Sequence, residues 1–217
     1  MTDRSAIQVD IVSDVVCPWC VIGYRQLAVA SRETSIPLDV HWHPFELNPQ
    51  MPEEGQNLRE HLAAKYGTTL EGSKQARARL TEMGAVLDFT FDYADDMHMW
   101  NTFRAHQLID WADEQGRGHD MKQALFVAYF THRKNVSDVE VLADIAAELG
   151  LDQAEALRVV SSDERAEKVR QKQGFWASRG IQSVPAMIFE RQHLLSGAQG
   201  AENYGSVLRQ LRAAQAA

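Results

Sequence analysis

Cysteine is scarce in this chain: its 217 residues hold two, Cys17 and Cys20. With no second pair, a four-ligand structural zinc site lacks its usual thiolates, and a framework of several disulfides is excluded. Basic clusters are missing too, and the formal net charge is −8, so a phosphate-binding surface of Lys and Arg is absent and nucleic acid is not an expected partner. No apolar run approaches the length of a bilayer span, so no membrane partner is expected. The opening MTDRSAIQVDIVSD carries charges at Asp3, Arg4 and Asp10 and lacks the apolar segment of a signal peptide, which makes the cytoplasm the expected location. Internal repeats and low-complexity segments are also lacking. What remains is an ordinary globular composition, 45% hydrophobic and 24% charged, long enough for one large domain or for a compact domain carrying another inserted in it.

The pattern along the chain changes period twice. Ile7, Val9 and Ile11 alternate with Gln8 and Asp10, which predicts a strand over 6–12. Cys20, Tyr24 and Leu27 recur on one face of a helix, and Pro18 suits its first turn. Leu38, Val40 and Trp42 alternate with Asp39, His41 and His43 in a second strand ending at Pro44. These three segments form a βαβ unit with parallel strands and a right-handed crossover. After the loop PFELNPQM the pattern predicts helices throughout, with Trp100, Phe103, Leu108 and Trp111 on one face and Met121, Ala124, Leu125, Ala128 and Tyr129 on another. Ser137 and Glu140 match a capping box before Val141, Leu142, Ile145 and Leu149, and Gly150 offers the stop. Ala186–Phe189 and His193–Leu195 then read as a hairpin, and Tyr204, Val207, Leu208 and Leu211 as a last amphipathic helix. This order predicts an α/β thioredoxin-like fold with a large all-helical insertion between an N-terminal βαβ and a C-terminal ββα unit. The expected parts are 1–48 and 181–217 for the thioredoxin-like domain and 49–180 for the insertion.

Two cysteines separated by two residues at a helix start can close a disulfide locally. Cys17 sits where free backbone N–H groups and the positive end of the helix dipole favour a thiolate, so it is the expected nucleophile, and Cys20, one turn in, the resolving thiol. The alternative is an inert or metal-binding pair. His41 and His43 would project from one side of the second strand and could add ligands, but the remaining zinc spacing is absent, so no metal is expected and both histidines read as solvent-facing. Neither Pro18 nor Trp19 supplies a cation between the cysteines, and a milder redox poise than that of a Cys-Pro-His-Cys site is expected.

Ser13-Asp14-Val15-Val16-Cys17-Pro18-Trp19-Cys20, Pro44-Phe45-Glu46-Leu47-Asn48-Pro49, Asn101-Thr102-Phe103-Arg104-Ala105-His106, Ser183-Val184-Pro185-Ala186 and Ser196-Gly197-Ala198-Gln199 together resemble the DsbA-like thiol oxidoreductases, and within them the FrnE-type subgroup. The resemblance covers nearly the whole chain. It implies that Val184-Pro185 is a cis-proline segment facing the cysteines, where the Val184 backbone would pair with substrate; a trans proline opening an edge strand is the alternative. It also places the Asn101–His106 stretch at the border of the cleft, and Ser196 and Gln199 where a thiol ligand makes contact; with Trp100 and Phe103 in the core, helix geometry turns Asn101 toward the cleft and His106 to the far side. Pro18, Trp19, Val184, Pro185, Asn101, Ser196 and Gln199 are thus the expected substrate contacts. Thioredoxin's buried acid, six residues before its nucleophile, is replaced by Ile11. Asp14 can take over proton transfer, or can simply be a turn residue.

Three functions follow. Dithiol–disulfide exchange, whether reduction or isomerisation, would act on disulfide-bearing proteins or small thiols, with no bound cofactor and with glutathione as a co-substrate. Glutathione-dependent isomerases and kappa-class glutathione transferases share the superfamily but carry serine at the position of Cys17. A non-catalytic client-binding module is the third. A homodimer is open, since helical insertions commonly form interfaces.

Overall fold

The computed structural model describes residues 6–215. Strand β1 (Ile7–Ser13), helix α1 (Pro18–Thr34) and strand β2 (Leu38–Pro44) open the chain, and β5 (Ala186–Phe189), β6 (His193–Ser196) and α9 (Ala201–Gln215) close it. Between them lie β3 (Gln56–Asn57), α2 (Leu58–Tyr66), α3 (Leu70–Val86), β4 (His98–Met99), α4 (Phe103–Asp113), α5 (Gly118–Phe130), α6 (Val139–Glu148), α7 (Gln153–Ser161) and α8 (Ala166–Ala177). The main sheet has the order β2-β1-β5-β6. β1 runs parallel to β2 and antiparallel to β5, with Ile7 opposite Leu38 and Val9 opposite Phe189.

β1 is the central strand, buried at every residue but Gln8, as expected of a strand covered on both faces. On one face Ile7, Val9 and Ile11 meet Leu27 and Ala30 of α1 and Tyr204 and Leu208 of α9. On the other, Val12 packs with Trp176 of α8, Ile181 and Ile188. Each large side chain buried this way contributes about 1.5–3 kcal/mol. A third core, the largest, joins Val15, Val16, Cys17, Cys20 and Val21 to Leu108, Leu125, Phe126 and Tyr129 of the helical insertion. The cysteines therefore lie at the seam between sheet and insertion.

The insertion is not wholly helical as the periodicity predicts. Gln56–Asn57 and His98–Met99 form a small antiparallel ribbon, too short for a strand pattern to register. The helix expected to include Trp100 begins only at Phe103, because Asn101 Oδ1 accepts the Phe103 N–H at 2.9 Å. The cap of α6 also shifts by one residue. Asp138 accepts the N–H groups of Glu140 and Val141 at 2.9 and 3.1 Å, while the Ser137 hydroxyl donates to Glu53 O at 2.9 Å. Asp138→Ala is therefore expected to cost about 1 kcal/mol in urea unfolding, whereas a cap at Ser137 would leave that substitution neutral. Among the described residues no helix is long and apolar enough to cross a membrane.

Candidate active site

Cys17 is the N-cap of α1, with extended backbone (φ −94°, ψ 111°) and Pro18 at the first helical position. Its carbonyl accepts the Cys20 N–H at 3.1 Å, which turns the second sulfur back toward the first. Both thiols are free. Cys17 retains 3% exposure and Cys20 none, and Trp19, 46% exposed, stands at the mouth of the site.

The Val184–Pro185 peptide is cis, as the family resemblance implies. Val184 O lies 3.8 Å from Cys17 Sγ and accepts its thiol proton. Two contacts fix this segment. Gly197, at φ +81°, turns its N–H onto Pro185 O at 2.7 Å, a backbone shape that favours glycine. Gly23 of α1 lets the proline approach: a Cβ there would stand 3.2 Å from Pro185 Cγ. Ser196 and Gln199 are both exposed beside this turn, with Gln199 Nε2 donating to Ser196 O at 2.5 Å.

Asn101 does not join the cysteines. Its amide donates to Met51 O at 2.7 Å, and it lines a cavity of about 170 Å³ with Glu53, Arg104, Ser137 and Arg170, which contains neither sulfur. His106, expected on the far side of its helix, is instead buried behind the site. Its Nε2 donates to Phe45 O at 2.9 Å and lies 3.3 Å from Asp14 Oδ1. That side of α4 is interior as well, because the Phe45 loop covers it. His41 is half-exposed beside Asp39, but His43 is not solvent-facing: its Nε2 contacts Asp10 at 2.7 Å and its ring packs on Trp176.

Asp14 is more than a turn residue. It is fully buried and accepts the Leu47 N–H at 2.7 Å. Burial alone would raise its carboxyl, but His106, the Leu47 N–H and Lys122 outweigh it and hold the group below its ordinary range.

Lys122 of α5 went unforeseen. It is 1% exposed; its ammonium donates to Ser13 O at 3.4 Å and lies 5.4 and 4.9 Å from the ring centres of Trp42 and Phe126. Burial pushes it down to about 8, against the opposing pull of Cys20, Asp14 and Cys17. The available hint was a lysine within GHDMKQALFVAYF, a helix that is otherwise apolar nearly all round.

The thiols titrate as a pair. The hydrogen bond between the sulfurs, together with burial, holds the Cys17 thiol well above its ordinary value. Burial opposes ionisation of Cys20 as well, yet its thiol falls below the ordinary value, because Cys17 donates to it and Lys122, the Ser13 hydroxyl and the Asp14 backbone all favour its anion. The anion of the pair is thus favoured on the inner sulfur, where the helix dipole alone would favour it on Cys17. The hydrogen bond from Cys17 comes first in this, and next to it Lys122, a cation brought from another element.

A four-stranded β2-β1-β5-β6 sheet with a Cys-x-x-Cys segment capping its first helix defines a protein of the thioredoxin-like class. The chain belongs to the DsbA-like thiol oxidoreductases: the DSBA-like thioredoxin domain matches residues 8–209. It is 29% identical to a probable DsbA oxidoreductase of Streptomyces coelicolor, over 94% of this chain and 89% of that one, with a TM-score of 0.87. The cytosolic disulfide reductase DsbM of Pseudomonas aeruginosa, solved with GSH, shares 19% identity over 94% and 99% of the two chains at a TM-score of 0.65. A 2-hydroxychromene-2-carboxylate isomerase shares 14% over 96% and 98% at a TM-score of 0.74. These last two are likenesses of fold.

Proposed function

We propose that the protein is a cytoplasmic dithiol–disulfide oxidoreductase of the FrnE-type subgroup, reducing or isomerising disulfides through Cys17 and Cys20. The observation that carries this reading is the placement of two free sulfurs at the first turn of α1 with Val184 O 3.8 Å from Cys17 Sγ. Cys17, the sulfur that reaches the surface, attacks a substrate disulfide once the proton shared between the thiols passes to Cys20. A mixed disulfide forms and one substrate thiolate leaves. Cys20, deprotonated, then attacks Cys17 Sγ, closing the internal disulfide and releasing the second substrate thiolate. A thiol such as glutathione reduces the protein again. Pro18, Trp19, Val184, Pro185, Ser196 and Gln199 would contact the substrate beside Cys17; Asn101 is instead engaged with Met51 O and the Phe103 N–H.

A Cys20→Ala variant tests this. It is expected to hold its substrates as mixed disulfides that survive non-reducing electrophoresis and vanish with dithiothreitol. The absence of any such adduct, under conditions where the unaltered protein turns over a disulfide substrate, would sink the reading. A second reading, a glutathione-dependent isomerase or kappa-type transferase, draws on the fold shared with the isomerase. It requires conjugation or isomerisation that persists in Cys20→Ala.

A further inference from the structure

Lys122 is a cation in the protein core with little direct pairing. Its ammonium has three N–H groups, and the one hydrogen bond it makes among the described residues is a long one, 3.4 Å to Ser13 O. A buried charge left so poorly paired is costly unless a counter-charge is present for at least part of the time. Several titratable groups face it. Asp14 comes from the turn after β1, and Cys17 and Cys20 come from α1. His43 of β2, His106 and Asp110 of α4 and Lys172 of α8 share with it a cavity of about 10 Å³, room for roughly one water. His106 is committed to Phe45 O and His43 to Asp10, while Asp110 is held by Arg165, Lys168 and Lys172. Asp14 is a permanent anion on one side. The counter-charge that comes and goes is the Cys20 sulfur, which is uncharged in a disulfide and whose anion is favoured in the reduced pair.

We infer that Lys122 is the positioning residue of the resolving thiol: its ammonium stabilises the Cys20 thiolate and follows the redox state of the pair. In the mixed disulfide Cys17 is bonded to substrate sulfur and no longer donates a hydrogen bond, so the buried Cys20 must ionise with Lys122 as its cation. The Cys20 proton leaves to solvent, the Cys20 thiolate forms the new S–S bond with Cys17 Sγ, and the bond from Cys17 to the substrate sulfur breaks with its electron pair on the substrate. Once the internal disulfide has formed, Lys122 has lost that anion and gives up its own proton more readily. Reduction restores both charges together.

The inference rests on the exchange reading for its purpose, but its test does not need turnover. In a Cys17→Ser background Cys20 is the sole thiol, and its ionisation is followed by thiolate absorbance near 240 nm. Adding Lys122→Met is expected to raise the Cys20 titration by at least about one unit, a tenfold loss of thiolate at neutral pH; superimposable curves in folded protein would overturn the inference. Should the Met variant fail to fold, the unaltered protein with 13Cε-labelled lysine decides. The Lys122 resonance is expected to titrate at lower pH in the disulfide form than in the dithiol form, and identical titrations in the two forms would overturn the inference. Loss of exchange activity with an unchanged Lys122 effect would count against the proposed function and leave this inference standing.

Discussion

A Cys17→Ser variant is expected to lose at least about a thousandfold of its disulfide-exchange rate, read as turbidity of a test disulfide protein reduced by dithiothreitol. A serine hydroxyl keeps the shape of the N-cap but ionises far above working pH, and it forms no disulfide. Stability should barely change, because Cys17 makes no side-chain cap bond to α1 and both of its acceptors, Val184 O and the Cys20 sulfur, can accept from a hydroxyl instead. Full activity in the serine variant would remove Cys17 from the mechanism.

The second large effect is on stability. Asp14→Ala strips the buried His106 of the carboxylate beside it, removes an anion that acts on the buried Lys122 and orphans the Leu47 N–H, for an expected cost of about 3–5 kcal/mol in denaturant unfolding. The pH dependence follows from the direction of the Asp14 shift. Its carboxyl is held below the ordinary value of 3.8 in the fold, so its stabilising effect is fully present above that value and is lost as pH falls through the folded one. The gap between the two proteins should therefore narrow as the solution is acidified below 3.8. A gap independent of pH across that range would mean that the carboxylate charge plays no part.

Most of the sheet was legible in the sequence because its signals are local. The alternation from Ile7 to Ile11 marks β1, which runs one residue further than expected, to Ser13. The hairpin and α9 fall where their apolar spacing puts them, and Cys17 and Cys20 announce themselves by spacing alone. The surroundings of the sulfurs were not legible, for a physical reason. Asp14, His106 and Lys122 come from a turn, α4 and α5, and periodicity says which face of a helix is buried, not which polar side chain shares the burial. His106 was assigned by helix phase to the side away from the cleft, but α4 is covered by the Phe45 loop as well as by the core, so that side is interior too. The cap at Asp138 was missed because Ser137 fits the same pattern one residue earlier.

The partner carbonyl of Cys17 arrives 167 residues after it, in the segment leading into β5, a strand that can join β1 only after the whole insertion has been made. At about 5–20 residues per second on the ribosome, the growing chain carries its cysteine pair without the Val184 neighbour for roughly ten to thirty seconds. The site is thus completed late in its own synthesis, and until then Cys17 lacks the carbonyl that accepts its thiol proton.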